Sequence, residues 1–278
     1  MIIAMTGASG FIGKAAVERL RASGHEVRPV KLRDGDTLPE CDAVIHLAGE
    51  PVAQRWTPEA KQRIRESRIE GTRRVVEQAG LLHRAPLVFL SGSAIGIYGT
   101  RGDEVLSESS APGSGFLAEV CVEWEKAADE ALTLGTRVVK LRTGVVLGRG
   151  GGALARMLPP FRMGLGGKLG SGRQWMSWIH LADLIGLIEF AIADTKVSGP
   201  LNGTAPNPAT NAELTRGLAG ELHRPAILPA PAFGLKLMFG EMASVLLDSQ
   251  RVLPRVALDR GYRFRYPELL PALRSVVA

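Results

Sequence analysis

Thr6-Gly7-Ala8-Ser9-Gly10-Phe11-Ile12-Gly13 is the most informative segment of the sequence. It follows the apolar residues Met1–Met5, which predict a buried strand, and it opens a segment of helical apolar spacing that ends at Gly24. Glycines spaced in this way permit a tight turn, close approach of a ligand to the backbone, and close packing of the helix on the strand. The N–H groups of the helix would then face a pyrophosphate, so the segment predicts a phosphate-binding loop.

Outside this segment, apolar runs alternate with amphipathic stretches over the first two thirds of the chain. Further strands are predicted at Val27–Leu32, Asp42–Leu47, Leu87–Leu90 and Arg137–Leu141. Helices are predicted from Thr57-Pro58-Glu59 to about Ala79 and over Leu117–Leu134. This alternation predicts an α/β fold, a Rossmann-type doubly wound parallel sheet with helices on both faces.

The pattern changes after Gly148, where glycines become frequent. We predict a dinucleotide-binding domain over residues 1–150, which also receives the segment 174–196, and a smaller α-rich C-terminal lobe built mainly from residues 151–278. Thr210 and Glu213 form a capping-box pattern at the start of one helix of this lobe. Two further helices are predicted over Phe233–Leu247 and Pro267–Val277.

Composition excludes several classes of protein. The 278 residues carry 34 Lys and Arg against 28 Asp and Glu, a net charge of +6, which favours anionic partners. No nucleic-acid-binding motif, metal-ligand spacing or apolar run long enough for a membrane helix occurs, so we expect no nucleic acid, metal or membrane as partner. Two cysteines and a first strand without signal-peptide character lead us to expect a cytoplasmic protein.

The residues after the second predicted strand bear on cofactor choice. An acid there would bind the ribose 2′-hydroxyl of NAD(H), but the chain has Arg28, Lys31 and Arg33, and the first acid afterwards is Asp34. Cations suit a 2′-phosphate, so the sequence predicts NADP(H). The alternative is that these cations are ordinary exposed charges at the sheet edge.

With these motifs in place, the chain resembles the extended short-chain dehydrogenase/reductase family. The similar segments occur in the family's order: 6–13, His46-Leu47-Ala48-Gly49, Arg68-Ile69-Glu70-Gly71-Thr72, 91–99, 141–148 and Trp178-Ile179-His180-Leu181-Ala182-Asp183. The match is closer to its epimerase/dehydratase-like subgroup, which has an uncharacterised C-terminal segment; residues 240–243, 249–254 and 261–264 are similar to that segment.

The resemblance implies a set of cofactor contacts beyond the glycine loop. Besides the cations Lys31 and Arg33, the expected cofactor-binding residues are Gly7, Ser9, Gly10, Phe11, Ile12, Gly13, Leu47, Ala48, Gly49, Glu50, Ser91, Gly92, Cys121, Thr143 and Gly144. Relatives often dimerise through the helices that correspond to 58–79 and 114–134, so a homodimer is also expected.

The catalytic Tyr-x-x-x-Lys pair that family enzymes carry is missing, since none of the three tyrosines has a lysine four residues later. On the expected helix, Leu117 and Cys121 fall in the two places. Ser93, with Ser91, could orient a carbonyl at the strand end, and Tyr98 could donate a proton. For Tyr98 and Cys121 the alternative is a packing role. His180 could transfer a proton, and the alternative for it is a structural role in its turn.

Two functions therefore stay open. The first is an NADP(H)-dependent epimerase or oxidoreductase that acts on a small carbonyl or sugar, either free or nucleotide-linked. In that case Trp175 and Trp178, with Lys168 and Arg173, would form a wall suited to an anionic substrate. The same tryptophans could instead form a packed loop. The second function is a non-catalytic NADP(H)-binding sensor or partner-binding protein, which the missing pair favours.

Overall fold

A six-stranded parallel sheet forms the centre of the structure, a computed structural model that describes residues 1–32 and 37–277. The strands are β1 (Ile2–Thr6), β2 (Glu26–Val30), β3 (Ala43–His46), β4 (Val88–Ala94), β5 (Val105–Leu106), β6 (Arg137–Thr143), β7 (Val145–Leu147), β8 (Trp175–Met176), β9 (Trp178–His180), β10 (Gly199–Gly203), β11 (Ala209–Thr210) and β12 (Arg251–Val252). The α-helices are α1 (Phe11–Ala22), α2 (Pro58–Gly80), α3 (Phe116–Asp129), α4 (Gly152–Arg162), α5 (Leu181–Ala193), α6 (Asn211–Leu222), α7 (Ala232–Phe239), α8 (Ser244–Leu247), α9 (Arg255–Asp259) and α10 (Leu269–Val277).

The order of strands in the main sheet predicts where a ligand would bind. The order is β10-β6-β4-β3-β1-β2, so the chain runs outward from β1 to β2 and then crosses back to β3 on the other side of β1. Thr6 pairs with His46 and His46 with Ser91, which aligns the carboxyl ends of three strands. In open α/β sheets, ligands bind outside these ends where the strand order reverses.

Alternating side chains give the sheet two buried faces. Ile3 and Met5 pack in one core with Leu20 of α1 and Leu184 of α5. Ala4, between them in β1, belongs to a second core on the opposite face, with contributions from α2 and α3. Helices therefore cover both faces, and the predicted α/β fold with a doubly wound parallel sheet is confirmed.

The C-terminal part has a core of its own. Leu154 of α4, Trp178, Leu218 of α6 and Leu273 of α10 pack together there. The last strand of the main sheet, β10, lies outside both 1–150 and 174–196, so the sheet draws more from the second half of the chain than those ranges include. The domain boundary near residue 150 stays a prediction.

Local signals set the helix ends. Thr57 caps α2 by accepting a hydrogen bond from the Ala60 amide, and Thr210 and Glu213 form both bonds of the predicted capping box. The single helix predicted over Phe233–Leu247 is wrong. Gly240, with φ of 61°, ends α7, and a short 3₁₀ turn leads into α8. Across the two described ranges, no helix is both long enough and apolar enough to span a membrane.

Candidate functional site

A cleft of about 630 Å³ lies along the carboxyl ends of the main strands. Its walls come from the glycine loop after β1, the end of β4, the first turns of α3, the β6–β7 turn and the segment 244–250. We call the part formed by the glycine loop and the strand ends the inner half. The part formed by residues 52–56, Phe116, Leu117 and 244–248 is the outer half.

Two glycines of the loop cannot be replaced without moving backbone. A Cβ on Gly7 would lie 2.6 Å from the carbonyl carbon of Leu47, and Gly7 has φ of +73°. A Cβ on Gly13 would lie 2.1 Å from the Gly7 carbonyl oxygen. The helix thus packs directly on the turn, which leaves a backbone surface that a bulky phosphate group can approach.

The N-terminus of α1 has no side chain that competes with an anion. Gly10 is its N-cap, the turn itself contains no acid, and no side chain of residues 1–32 and 37–277 caps it with a hydrogen bond. By contrast, α2 is capped by Thr57 and carries Glu59 in its first turn. The unpaired N–H groups and the helix dipole make α1 suited to a pyrophosphate, so the residues present fit a dinucleotide.

A second glycine-rich segment packs against this loop. A Cβ on Gly151 would lie 2.2 Å from the Phe11 ring, and Gly152 is similarly close to it. The ring of Phe11 therefore fixes the segment 148–152 beside the N-terminus of α1. This explains why the glycines that follow β7 are needed although they lie far away in sequence.

The structure places most of the predicted cofactor residues in the cleft. The predicted residues that line it are Gly7, Gly10, Phe11, Ile12, Gly13, Leu47, Gly92, Cys121, Thr143 and Gly144. Ser9, Ala48, Gly49, Glu50 and Ser91 lie beside the cleft but outside its lining. Glu50 is turned towards Gln54, and the buried Ser91 hydroxyl donates to the Gly92 carbonyl.

The basic residues near β2 are not equivalent. Arg28 is engaged by Glu26 at 2.7 Å and by the Glu40 carbonyl. Lys31 is exposed and has no ion-pair partner among residues 1–32 and 37–277. Arg33 lies outside the described residues. Lys31 lies outside the cleft lining, and of the three predicted cations it is the described one without an ion-pair partner, so it stays the candidate for a 2′-phosphate contact.

Arg68 is a site residue that the sequence did not reveal. It lines the cleft, its guanidinium carbon lies 5.1 Å from the Trp124 ring centre, and its Nη1 donates to the Glu50 and Ile64 carbonyls. Burial lowers the pKa of Arg68. Cys121 lies nearby, and burial raises the pKa of its thiol to about 12. It therefore stays a neutral thiol at physiological pH, which supports the packing role for Cys121.

Ser93 lines the cleft at the end of β4 and leads into a buried polar network. Its hydroxyl donates to Glu125 at 2.7 Å, and Glu125 is bound by two nitrogens of Arg142. Burial by itself lowers the pKa of Arg142. The Glu125 carboxylate outweighs this effect, so the pKa of Arg142 is raised overall. This network holds the Ser93 side chain in place and uses its hydroxyl hydrogen. The Ser93 oxygen can therefore accept a hydrogen bond from a ligand in the cleft.

Tyr98 belongs to the far end of this network, and its predicted role as proton donor is not supported. Its side chain is fully buried, and its hydroxyl donates to Asn202 and accepts from Arg142. It does not line the cleft, and burial raises its pKa. Tyr98 is buried because the 3₁₀ turn Ile95–Tyr98, which follows β4, places its ring in the interior and not in the cleft.

The predicted anion-binding wall is also wrong. Trp178 is buried in the core of the C-terminal part, and Trp175 donates to Asp103 and lies against Arg251. Lys168 and Arg173 are exposed and outside the lining. His180 caps α5 by accepting from the Ala182 amide, and burial lowers its pKa to about 4, which supports the structural reading.

The outer half is instead walled by apolar side chains from three distant segments. Trp56 and Phe116 meet edge to face with ring centres 5.1 Å apart, and Leu117 follows at the start of α3. Val245 and Asp248 close the far side. Burial raises the pKa of Asp248, and its carboxylate has no partner among the described residues. Those residues also contain no cluster of three or more side chains fit to bind a metal.

A glycine loop, an uncapped helix N-terminus and an open cleft at the reversal of strand order define a Rossmann-type dinucleotide-binding protein. The sequence profile described as "NAD dependent epimerase/dehydratase family" matches residues 3–202, and "Domain of unknown function (DUF1731)" matches residues 230–276. The chain belongs to the NAD dependent epimerase/dehydratase family, as the sequence motifs led us to expect.

Several relatives match the full length of the chain. The chloroplastic SDR39U1 homologue of Arabidopsis thaliana is 42% identical, covering 100% of this chain and 87% of that protein. The crystal structure of human epimerase family protein SDR39U1 (isoform 2) with NADPH is 36% identical, covers 99% of both chains and has a TM-score of 0.93. A nucleoside-diphosphate sugar epimerase of Corynebacterium glutamicum is 35% identical over 98% of this chain and 57% of that one, with a TM-score of 0.78. The NADPH of the human structure agrees with the cofactor predicted from the sequence.

Proposed function

We propose that the protein binds NADPH in the cleft and acts as an oxidoreductase or epimerase on a small carbonyl or alcohol. The observation that carries this proposal is the continuity of the cleft, which runs from the glycine loop past Ser93 to a separate outer half. The NADPH of the human relative supports the cofactor assignment. The exposed Lys31 supports NADPH over NADH, because a cation stabilises the 2′-phosphate.

Bound NADPH would supply a hydride to a carbonyl substrate, and bound NADP⁺ would accept a hydride from an alcohol substrate. The residues of this chain bind the cofactor and orient the substrate. The first turn of α1 binds the pyrophosphate, and Gly92 with Thr143 and Gly144 shapes the strand ends beside the reacting part. Ser93 donates its hydroxyl hydrogen to Glu125, so its oxygen orients an alcohol substrate by accepting a hydrogen bond from the substrate hydroxyl. To orient a carbonyl oxygen, Ser93 would donate the same hydrogen to the substrate in place of Glu125.

A second candidate is a non-catalytic NADPH-binding sensor or partner-binding protein. It is favoured by Leu117 and Cys121, which occupy the places of the family's tyrosine and lysine and line the cleft without a group that exchanges protons at neutral pH. The cytoplasmic location and the homodimer stay predictions. Light scattering at micromolar concentration tests the dimer, and a monomer would contradict it.

Two measurements test the proposal in order. Calorimetric titration with NADPH and NADH should show tighter binding of NADPH; equal or tighter NADH binding contradicts the cofactor assignment. Absorbance at 340 nm with a panel of aldehydes and ketones should then show substrate-dependent loss of NADPH, reduced at least about tenfold in Ser93→Ala. Cofactor binding with neither net NADPH oxidation nor interconversion of epimeric alcohols in the presence of NADP⁺ would favour the sensor.

A further inference from the structure

The outer half of the cleft is built to contact a flat apolar surface. Trp56, Phe116, Leu117 and Val245 face it. The indole Nε1 of Trp56 donates to the Val52 carbonyl at 2.9 Å, so Trp56 offers its ring rather than a hydrogen bond. Aromatic pairs of this kind contribute large buried area in a specific geometry.

The walls of the outer half are held together from outside. Lys61 of α2 lies 5.2 Å from the centre of the Phe116 ring and forms an ion pair with Glu241, which precedes α8. Lys61 thereby joins α2, α3 and the C-terminal segment without entering the lining. Its charge is satisfied by the carboxylate and the ring face, so it is not available to a ligand.

The charges that do line the cleft disfavour an anionic substrate. Among residues 1–32 and 37–277, the lining contains one basic side chain, Arg68, and one acid, Asp248. Arg68 is stacked on Trp124 and already donates to two carbonyls. Asp248 belongs to the outer half, and its carboxylate has no hydrogen-bond partner among those residues. A second anion beside it would be repelled, and a diphosphate would find few donors.

We propose that the outer half takes an uncharged, flat, apolar carbonyl compound such as an aryl ketone, packed face-on against one ring of the Trp56–Phe116 pair and edge-on against the other, and that Asp248 excludes anionic analogues. This inference rests on the proposed function, because it places the substrate beside NADPH. It replaces the expectation of an anionic, nucleotide-linked substrate. Leu117 fits this chemistry, since it extends the apolar wall at the place where the resemblance would put the family's tyrosine.

The experiment compares three probes on the protein saturated with NADP⁺, which leaves the ketone unreduced during the titration. These are 2-acetylnaphthalene, its carboxylate analogue 6-acetyl-2-naphthoate, and UDP-glucose, each titrated by calorimetry. The ketone should bind at least about tenfold more tightly than either anion, which corresponds to about 1.4 kcal/mol. Equal or tighter binding of the carboxylate or of UDP-glucose overturns the inference.

Two variants assign the effect to named side chains. Asp248→Asn should improve binding of the carboxylate at least about fivefold and leave the ketone within about twofold. Phe116→Ala should weaken the ketone about tenfold, whereas Phe233→Ala removes the same ring from an exposed site outside the cleft and should have no effect. Unchanged discrimination in Asp248→Asn, or equal effects of the two phenylalanine variants, contradicts the assignment.

NADPH affinity is measured for every variant and separates the possible failures. A protein that binds NADPH but prefers the anions contradicts this inference and leaves the proposed function standing. A protein that does not bind NADPH contradicts the proposed function. The ketone and the carboxylate are then compared on the free protein, where the same preference for the ketone is expected.

Discussion

The two halves of the cleft are built in different ways. The inner half consists of backbone, with glycines packed at distances that exclude a Cβ and a helix N-terminus without a cap. The outer half consists of side chains, among them Trp56, Phe116, Val245 and Asp248, from three segments far apart in the sequence. A backbone site recognises what all dinucleotides share, and a side-chain site selects among substrates.

The two halves of the cleft also differ in the chemistry that their side chains can support. The inner half contains the glycine loop and the strand-end Ser93, which is hydrogen-bonded to the buried Glu125. Leu117 of the outer half and Cys121 both line the cleft, at the two places where the resemblance would put the family's tyrosine and lysine. Cofactor binding and reaction type are therefore separable in this protein.

The largest effect is expected at Gly13. In Gly13→Ala the new Cβ would lie 2.1 Å from the Gly7 carbonyl oxygen, so the loop must move away from its phosphate-binding shape. We expect NADPH affinity to fall at least about 100-fold, or roughly 2.7 kcal/mol. Gly220→Ala is the matched control, because it lies in helix α6 with nothing within 4 Å of its Cβ position. Similar effects of the two changes would contradict a backbone-built site.

A pH-dependent effect is expected at His46, which ends β3 below the inner half. Burial, and secondarily the charge of Arg68, lowers its pKa from 6.5 to about 4. The folded protein therefore keeps His46 neutral at pH values where the unfolded chain binds a proton, so stability falls as pH drops below 6.5. Between pH 7 and pH 5 this group should remove about 2 kcal/mol from the free energy of unfolding.

Chemical denaturation at the two pH values measures this effect. His46→Asn lacks the titrating group, so it should lose about 2 kcal/mol less between pH 7 and pH 5 than the wild-type protein. An equal pH dependence in the two proteins would show that His46 is not the group responsible.

A smaller and selective effect is expected at Lys31. Reversing its charge in Lys31→Glu should weaken NADPH about tenfold without weakening NADH, because only NADPH carries the 2′-phosphate and an acid can bind the 2′-hydroxyl of NADH. Titration with both cofactors checks this. Arg28→Glu is the comparison, since Arg28 is already engaged by Glu26 and should be the less sensitive of the two. Equal losses for NADPH and NADH would place Lys31 outside the 2′-phosphate site.

The smallest effect concerns the outer half. Lys61→Met removes the ion pair with Glu241 and the contact with the Phe116 ring. Both groups are partly exposed, so we expect the free energy of unfolding to change by less than about 1 kcal/mol. The binding of 2-acetylnaphthalene should weaken about threefold, because the walls are less fixed. A loss of NADPH affinity instead would show that the two halves are not independent.

The sequence predicted the inner half well because its parts are contiguous. Residues 6–13 carry the turn, the helix start and the glycines in a single segment, and alternating apolar runs predict the strands around it. Tyr98 was misjudged because its neighbours suggest a strand-end position, whereas a 3₁₀ turn buries it against Arg142 and Asn202. Local spacing does not show which way such a turn carries a side chain.

The outer half could not be predicted from the sequence. Asp248 and Val245 reach the cleft only because Gly240 ends α7 and redirects the chain, while the sequence pattern favoured one continuous helix. Trp175 and Trp178 follow a glycine-rich segment, which suggested a ligand wall, but both pack elsewhere. Contacts between segments 52–56, 116–117 and 244–248 depend on tertiary packing that no local pattern encodes.

The central claim is that the inner half holds NADPH and the outer half is left for an apolar substrate. A crystal structure of the protein with NADPH tests it most directly. We expect the pyrophosphate at Gly10–Gly13, the 2′-phosphate near Lys31, and the nicotinamide beside Ser93 with the Trp56–Phe116 pair uncovered. A nicotinamide ring stacked on Trp56 and Phe116 would contradict the account, because the apolar wall would then belong to the cofactor site.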